Sequence, residues 1–129
     1  MTRDEVQRWL DDYVAAWWSY DPEAIGDLFG EDAEYRYQPW GEPISGRDAI
    51  VADWLSGRDA PGTYDGKYAP YAVDGDRAVA IGESHYTKPD GSFRTMYYNL
   101  WTLRFDDDGR CIDFVEYFME LPEKLRAGH

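Results

Sequence analysis

The sequence is poor in cysteine, in basic residues and in long apolar runs, and each shortage excludes a class of protein. Cys111 is the single cysteine, so no disulfide can form within the chain, and a lone thiol is compatible with a reducing compartment. Thirteen Lys and Arg stand against 26 Asp and Glu, which gives a net charge of −13. Because this charge repels phosphates and anionic lipid headgroups, neither nucleic acid nor membrane is expected as a partner.

Recognisable targeting and cofactor motifs are lacking as well. The first residues contain no apolar segment typical of a signal peptide, and no run approaches the length of about 18 apolar residues that spans a bilayer. Cytoplasmic localisation is therefore expected. The chain has no glycine-rich phosphate loop and no nucleophile elbow, and its two histidines, His85 and His129, are far apart. We predict neither a metal site nor an organic cofactor.

The first half of the chain predicts three helices, each with an apolar stripe at helical spacing. The first runs to about Ser19, and the third ends at Gly57. Their start signals are a Thr2–Glu5 capping box, the Asp21–Pro22 pair and a second capping pattern at Ser45–Asp48.

The remaining segments predict strands. Ala33, Tyr35 and Tyr37 alternate with polar residues, as in a half-buried strand. Asp-Gly turns then divide four long antiparallel strands near 64–73, 77–88, 93–105 and 111–121, before a polar tail that ends at His129. Helices followed by a long meander indicate an α+β domain with helices on one face of the sheet.

One face of these strands mixes aromatic and polar residues. If a three-residue loop joins the second and third long strands, Glu83 lies opposite Asn99 and His85 opposite Tyr97, while Glu116 lies on the last strand. A buried polar group costs a few kcal/mol, about 1–3, unless it has a partner, so this face predicts a cavity lining. The alternative is that these groups bond to each other or to water at an open side of the sheet or in a dimer interface.

Several local strings resemble the nuclear transport factor two-like superfamily, which includes SnoaL-like cyclases, ketosteroid isomerase, scytalone dehydratase and limonene-epoxide hydrolase. These strings occupy residues 13–16, 28–33, 45–50 and 115–118. The resemblance covers almost the whole chain and implies one SnoaL-like domain over 1–129. It also implies three N-terminal helices on a strongly curved, mixed but mostly antiparallel sheet, which form a cone with an internal pocket. Members of this superfamily are usually homodimers, and we expect one here through the sheet.

The resemblance turns the mixed face inward and assigns roles to its residues. Histidine titrates near neutral pH, and two carboxyl groups in one apolar cavity disfavour each other's ionisation, so His85, Glu83 and Glu116 are the expected catalytic proton carriers. The expected substrate-binding residues are Tyr13, Trp17, Tyr37, Trp54, Tyr97, Asn99, Trp101, Phe114 and Phe118.

Individual enzymes of the superfamily match unequally. Tyr13 falls at the oxyanion-hole tyrosine of ketosteroid isomerase, but that family's base and partner acid are replaced by Tyr37 or Gln38 and by Trp101, so a ketosteroid isomerase is not expected. Limonene-epoxide hydrolase matches in part.

In the epoxide-hydrolase pattern, Glu116 and Glu83 occupy the two acid positions and Tyr37 lies near the water-holding tyrosine, although Ile81 replaces the arginine between the acids. Scytalone dehydratase is similar in using Tyr, His and Asn around its substrate, and this resemblance gives Tyr37, His85 and Asn99 the corresponding roles.

These observations predict a protein that binds a small, largely apolar metabolite and acts on it by cofactor-independent acid–base chemistry, as a lyase, isomerase, cyclase or hydrolase. Two alternatives use the same fold. One is a binding protein with the same pocket and no turnover, and the other is a dimerisation module whose cone is filled by side chains.

Overall fold

The N-terminal helix begins at the predicted capping box. The computed structural model shows the Glu5 backbone N–H donating to Thr2 Oγ1 (3.1 Å) and the Thr2 N–H donating to Glu5 Oε1 (2.9 Å). Both donors would otherwise lack partners in the first turn. The helix ends at Tyr20, which adopts a left-handed backbone conformation (φ 50°).

The structure describes residues 1–127. The three predicted helices are present, with a short fourth helix in the segment that the sequence predicts as a polar tail. Residues 128 and 129, the end of that tail with His129, lie outside the described residues. The helices are α1 (Arg3–Ser19), α2 (Pro22–Gly26), α3 (Arg47–Ser56) and α4 (Glu123–Arg126). Among the described residues, no helix is long and apolar enough to cross a membrane.

All six strands belong to one mixed sheet with the order β2-β1-β6-β5-β4-β3. The contacts between β3, β4, β5 and β6 are antiparallel, and β1 pairs with β6 in parallel. The α+β class and the helix-covered mixed sheet are confirmed. The strands are β1 (Phe29–Arg36), β2 (Ile44–Ser45), β3 (Tyr64–Asp74), β4 (Arg77–Thr87), β5 (Phe93–Phe105) and β6 (Cys111–Glu120).

Two predicted boundaries in the first half are wrong. Helix α3 has no side-chain cap, because Ser45 belongs to β2 and Gly46 (φ 95°) occupies the N-cap position. Strand β1 begins four residues before Ala33, since the Cys111 N–H donates to the Leu28 carbonyl (2.8 Å) and holds this segment beside β6. The pairing of β2 with β1 and that of β1 with β6 both join residues that lie well apart in the sequence, so neither leaves a local signal.

The predicted register of β4 against β5 is also wrong. The turn between these strands is longer than three residues, with the Lys88 N–H donating to the Ser92 carbonyl (2.8 Å). A bulge follows, in which Tyr86 pairs with Thr95 but Thr87 pairs with Phe93. The register is therefore displaced by one residue, and such a slip moves every side chain of a strand to the other face.

The core lies between α1, α3 and the inner face of the sheet, and it is largely aromatic. Tyr35 stacks on Phe114, with ring centroids 4.3 Å apart, and Tyr68 stacks on Trp101 at 4.2 Å. Gly82 permits the second stack, because a Cβ at this position would overlap the Lys67 carbonyl oxygen and the Tyr68 ring. Glycine at this inward position therefore lets β3 approach β4 closely.

Candidate functional site

A cavity of about 400 Å³ lies between α1, the end of β1, the segment after α3 and the inner face of the sheet. Its volume is in the range of small-molecule sites, about 300–1,000 Å³. Aromatic side chains dominate its wall, which contains Tyr13, Trp17, Tyr35, Tyr37, Tyr64, Tyr68, Tyr86, Tyr97, Trp101 and Phe118. The polar lining consists of Gln38, Asp59, Ser84, Arg94, Asn99 and Glu116.

Most of the predicted binding residues line this cavity, and the rest lie directly behind its wall. Trp54 is 1% exposed and packs edge-on against Tyr13, with centroids 4.9 Å apart. Phe114 is fully buried and stacks on Tyr13 at 5.7 Å. The predicted residues that line the cavity are Tyr13, Trp17, Tyr37, Tyr97, Asn99, Trp101, Phe118 and, among the predicted proton carriers, Glu116.

The other two predicted proton carriers do not face the cavity. Glu83 and His85 lie on the outer face of β4, where their side chains are 47% and 40% exposed and His85 Nε2 is 3.0 Å from Glu83 Oε2. The register change described above is the reason, since it turns Ser84 inward in their place. The expected grouping of Glu83, His85 and Glu116 around one opening is therefore wrong.

Glu116 is held by two donors from the neighbouring strand. Asn99 Nδ2 donates to Glu116 Oε2 (2.8 Å), and Trp101 Nε1 donates to the same oxygen (2.6 Å). Within residues 1–127, no donor contacts the second oxygen, Oε1. Because Oε2 already accepts two hydrogen bonds, a proton on this carboxyl group belongs on Oε1, which is the oxygen available to a ligand.

The orientation of the Asn99 amide follows from Glu116. A carboxylate oxygen only accepts, so the NH₂ end of the amide faces Glu116, and Asn99 Oδ1 accepts a hydrogen bond from the Ser84 hydroxyl (2.9 Å). Ser84 is 4% exposed and Asn99 is 7% exposed. The chain from Ser84 through Asn99 to Glu116 is thus a buried polar network in which each member has a defined partner.

Burial in this apolar wall raises the pKa of Glu116 above its ordinary value. The hydrogen bonds from Trp101 and Asn99 act in the opposite direction, because they stabilise the carboxylate, but desolvation is the larger effect. A carboxyl group with a raised pKa keeps its proton to higher pH than an exposed glutamate does, which favours proton exchange with a bound molecule. Glu116 is therefore the candidate general acid–base of the cavity.

The tyrosines of the wall form hydroxyl pairs. The hydroxyls of Tyr13 and Tyr35 are 2.8 Å apart, and those of Tyr64 and Tyr68 are 3.1 Å apart. Tyr37 donates to Asp53 Oδ2 (2.6 Å). Burial raises the pKa of every one of these tyrosines, to about 12 for Tyr68. They consequently act as neutral hydrogen-bond donors and acceptors.

The segment after α3 closes one side of the cavity through Asp59. Trp17 Nε1 donates to Asp59 Oδ2 (2.9 Å), and the Tyr20 hydroxyl donates to the same oxygen (3.3 Å). The Asp59 backbone N–H donates in turn to the Tyr20 hydroxyl (2.8 Å). These bonds tie the segment to the C-terminal turn of α1, so Asp59 is a structural acceptor at the rim.

Several lining residues were missed from the sequence, for different reasons. Tyr64 and Tyr68 share one face of β3 by the period of two, a signal that could have identified them. Ser84 and Tyr86 lie on the face of β4 that the expected register turned outward. Asp59 lies in an irregular segment, where no periodicity applies. Among the described residues, no group of three His, Cys, Asp or Glu side chains is arranged to hold a metal ion.

Comparison with known families agrees with this fold. The family model of the SnoaL-like domain matches residues 10–114, which include α1 from Leu10 onward, α2, α3 and the sheet through Phe114. This chain belongs to the SnoaL-like domain family. The resemblance inferred from the local strings is thereby confirmed. Glu116, the residue at the centre of the cavity's polar network, lies two positions beyond the matched segment of the SnoaL-like domain.

Solved structures with the same fold include an LEH-like epoxide hydrolase from M. tuberculosis. It is 16% identical to this SnoaL-like domain, with a TM-score of 0.67 over 91% of this chain and 84% of that chain. An NTF-2 like protein of unknown function from Burkholderia xenovorans LB400 is 20% identical, with a TM-score of 0.66 over 94% of this chain and 90% of that chain. At these identities the likeness establishes the fold alone.

Proposed function

We propose that this protein binds a small, largely apolar molecule in the cavity and catalyses proton transfer on it, with Glu116 as the general acid–base. The observation that carries the proposal is the state of the Glu116 carboxyl group. It is buried among aromatic rings, one oxygen is held by Asn99 and Trp101, and the other has no donor within residues 1–127. No cofactor enters the proposed step.

The number of proton carriers favours particular reaction classes. Asp59 is the other carboxylate of the cavity lining, and its Oδ2 already accepts from Trp17 and Tyr20. One carrier is sufficient when a proton is removed from one atom of the substrate and returned to another, as in an isomerisation or an intramolecular cyclisation. Hydrolysis needs an acid and a second group that activates water. We therefore favour an isomerase or cyclase, with hydrolysis of an epoxide, the activity named for the M. tuberculosis neighbour, as the second candidate.

In the proposed step, Glu116 Oε1 removes a proton from an acidified C–H bond of the bound substrate. The negative charge that develops on the substrate is stabilised by neutral tyrosine hydroxyls in the cavity wall, such as the pair formed by Tyr13 and Tyr35. The carboxylic acid then returns the proton to a second atom of the substrate. Asn99 and Trp101 hold Oε2 throughout, so the reacting oxygen keeps its position.

The test compares wild-type protein with Glu116→Gln on a panel of small enolisable ketones and apolar epoxides. Exchange of C–H protons in D₂O, followed by NMR, reports proton transfer, and diol formation reports hydrolysis. We expect turnover to fall by at least a factor of about 100 in Glu116→Gln while affinity stays within about tenfold. Glu83→Gln, on the outer face, is the matched control and should retain turnover.

The alternative, a binding protein without turnover, predicts a different result. Ligands of the panel would bind the wild-type protein, but neither exchange nor diol formation would exceed the rate in buffer. Turnover that survives Glu116→Gln unchanged would instead exclude Glu116 as the proton carrier.

We further propose that two copies associate through the outer face of the sheet. Apolar side chains are exposed there on three adjacent strands: Ile81, Tyr98, Leu100, Tyr117 and Met119. A contiguous apolar patch of this kind is typical of a protein interface. Light scattering should give twice the 15.0 kDa mass of the chain, and Leu100→Arg should reduce it to one copy. A wild-type mass of one copy at micromolar concentration would exclude the dimer.

A further inference from the structure

Arg94 lines the mouth of the cavity, although the alternation of β5 places it with the outward residues Met96 and Tyr98. The bulge between β4 and β5 explains the difference, because Thr95 pairs with Tyr86 and Phe93 with Thr87, so Arg94 has no direct partner in the ladder. Bulges commonly redirect a side chain in this way. The Arg94 guanidinium carbon lies 5.0 Å from the centre of the Tyr86 ring.

The charge of Arg94 is not neutralised within residues 1–127, where no carboxylate lies within 4 Å of its guanidinium. Glu120, on the neighbouring strand, instead pairs with Arg126 (3.0 Å) and accepts a hydrogen bond from Thr95 (2.6 Å). Asp59, across the mouth, accepts from Trp17 and Tyr20. The chain carries a net charge of −13, and yet this guanidinium at the cavity mouth has no carboxylate partner within residues 1–127. Its positive charge is therefore available to an anionic ligand.

Arg94 is the one cationic side chain among the described residues that line this cavity. A guanidinium presents a rigid planar fork of N–H donors that matches a carboxylate, and stacking on an aromatic ring holds the fork in one plane. One guanidinium balances one negative charge. A phosphate dianion would find no second cation in the lining and would face the carboxyl groups of Asp59 and Glu116.

We propose that Arg94 anchors a carboxylate at one end of the ligand, so that the cavity takes a flat aromatic acid whose opposite end reaches Glu116. This inference rests on the proposed binding function of the cavity and adds the substrate class to it. The Arg94 guanidinium lies against Tyr86, which pairs with Thr95, and Glu116 accepts from Asn99. Positions 95 and 99 of β5 therefore mark the two ends of the site, and they are separated by about 13 Å of strand, at a rise of about 3.3 Å per residue. An acid with two fused rings suits this separation, and the aromatic wall, with Tyr68, Tyr86 and Trp101, presents ring faces and edges to it.

The test measures binding of 2-naphthoate and of its neutral isostere 2-naphthamide by isothermal titration calorimetry at about pH 7 and low ionic strength. Wild-type protein should bind the acid about tenfold more tightly than the amide, since hydrogen bonds between charged partners are the stronger kind. Arg94→Gln should remove this preference while leaving the affinity for the amide unchanged. Arg94→Lys keeps the charge without the fork and should retain part of the preference.

Lys67→Gln is the matched control, because it removes one positive charge from the exposed outer side of β3 and should leave the preference intact. Equal affinity of the wild-type protein for acid and amide, or a preference that survives Arg94→Gln, would overturn the role of Arg94 and leave the cavity as a binding site. Failure of the acid to bind while the amide binds would also overturn it. Failure of both probes to bind would overturn this inference and would also exclude an aromatic ligand of this kind. The proposed catalytic role of Glu116 is judged separately by the exchange assay.

Discussion

Replacing Asn99 by leucine tests whether the hydrogen bonds to Glu116 Oε2 control its protonation. The variant removes the Nδ2 donor, which lies 2.8 Å from Oε2, and keeps a side chain of similar size. A hydrogen bond to a charged group contributes about 1.5–3 kcal/mol. Because this bond stabilises the carboxylate, its loss should shift the protonation equilibrium of Glu116 towards the acid by about tenfold to a hundredfold. The pKa of Glu116 should therefore rise further.

The assay follows the side-chain carboxyl carbons of ¹³C-labelled glutamate by NMR as the pH is raised, with Glu116→Gln used to assign the resonance. Trp101→Phe removes the other donor, at 2.6 Å, and should move the pKa in the same direction. Ser84→Ala is the graded control, since it removes the hydroxyl that donates to Asn99 Oδ1 but leaves the Nδ2 donor in place. Its effect should be smaller than that of Asn99→Leu.

A result in which the pKa of Glu116 stays the same or falls in both Asn99→Leu and Trp101→Phe would refute this reasoning. Circular dichroism and chemical denaturation establish that each variant is folded before its titration is interpreted. Two donor deletions are needed because Asn99→Leu also leaves the Ser84 hydroxyl without its acceptor.

Two further predictions concern stability. Burial raises the pKa of Glu116 above the ordinary glutamate value of 4.5, so the folded protein keeps this proton to higher pH than the unfolded chain does. The free energy of unfolding of the wild type should therefore fall as the pH rises from 4.5 towards the raised pKa. Glu116→Gln lacks this loss, so its stability relative to wild type should increase as the pH rises above 4.5 in denaturant unfolding; a constant difference would contradict the assigned burial. Gly82→Ala should destabilise the protein by about 1–3 kcal/mol, because a Cβ would overlap the Lys67 carbonyl oxygen and the Tyr68 ring. Gly26→Ala, whose Cβ would make ordinary contacts of 3.5 Å or more, is the control and should be neutral or stabilising, and equal effects of the two substitutions would argue against the proposed close approach.

Local patterns predict most of the secondary structure of this protein. The capping box at Thr2 and Glu5 forms as expected, and the long strands lie within one residue of their predicted ends. The period of two also places Asn99 and Trp101 on the same face of β5, and the family resemblance turns that face and Glu116 of β6 inward, as the structure has them. These features follow from the chain alone because each depends on residues only a few positions apart.

Of the three predicted proton carriers, Glu116 alone lines the cavity among the described residues, and the reason is the pairing of β4 with β5. Alternation correctly predicts that Glu83 and His85 share one face of β4, but it does not show which face of the strand lies inside the fold. The turn at 88–92 and the bulge at Arg94 decide that question, and they place Ser84 in the cavity and His85 on the outer surface.

The sequence by itself therefore determined the elements of this fold, the family resemblance and the Glu116, Asn99 and Trp101 group. Tertiary structure alone decided the register of β4, the parallel pairing of β1 with β6 and the position of Arg94 at the cavity mouth. The physical reason is that side-chain periodicity is a local property of one strand, whereas register depends on how two strands and their turn fit together. A displacement of one residue leaves the pattern within each strand unchanged and exchanges the two faces of the sheet.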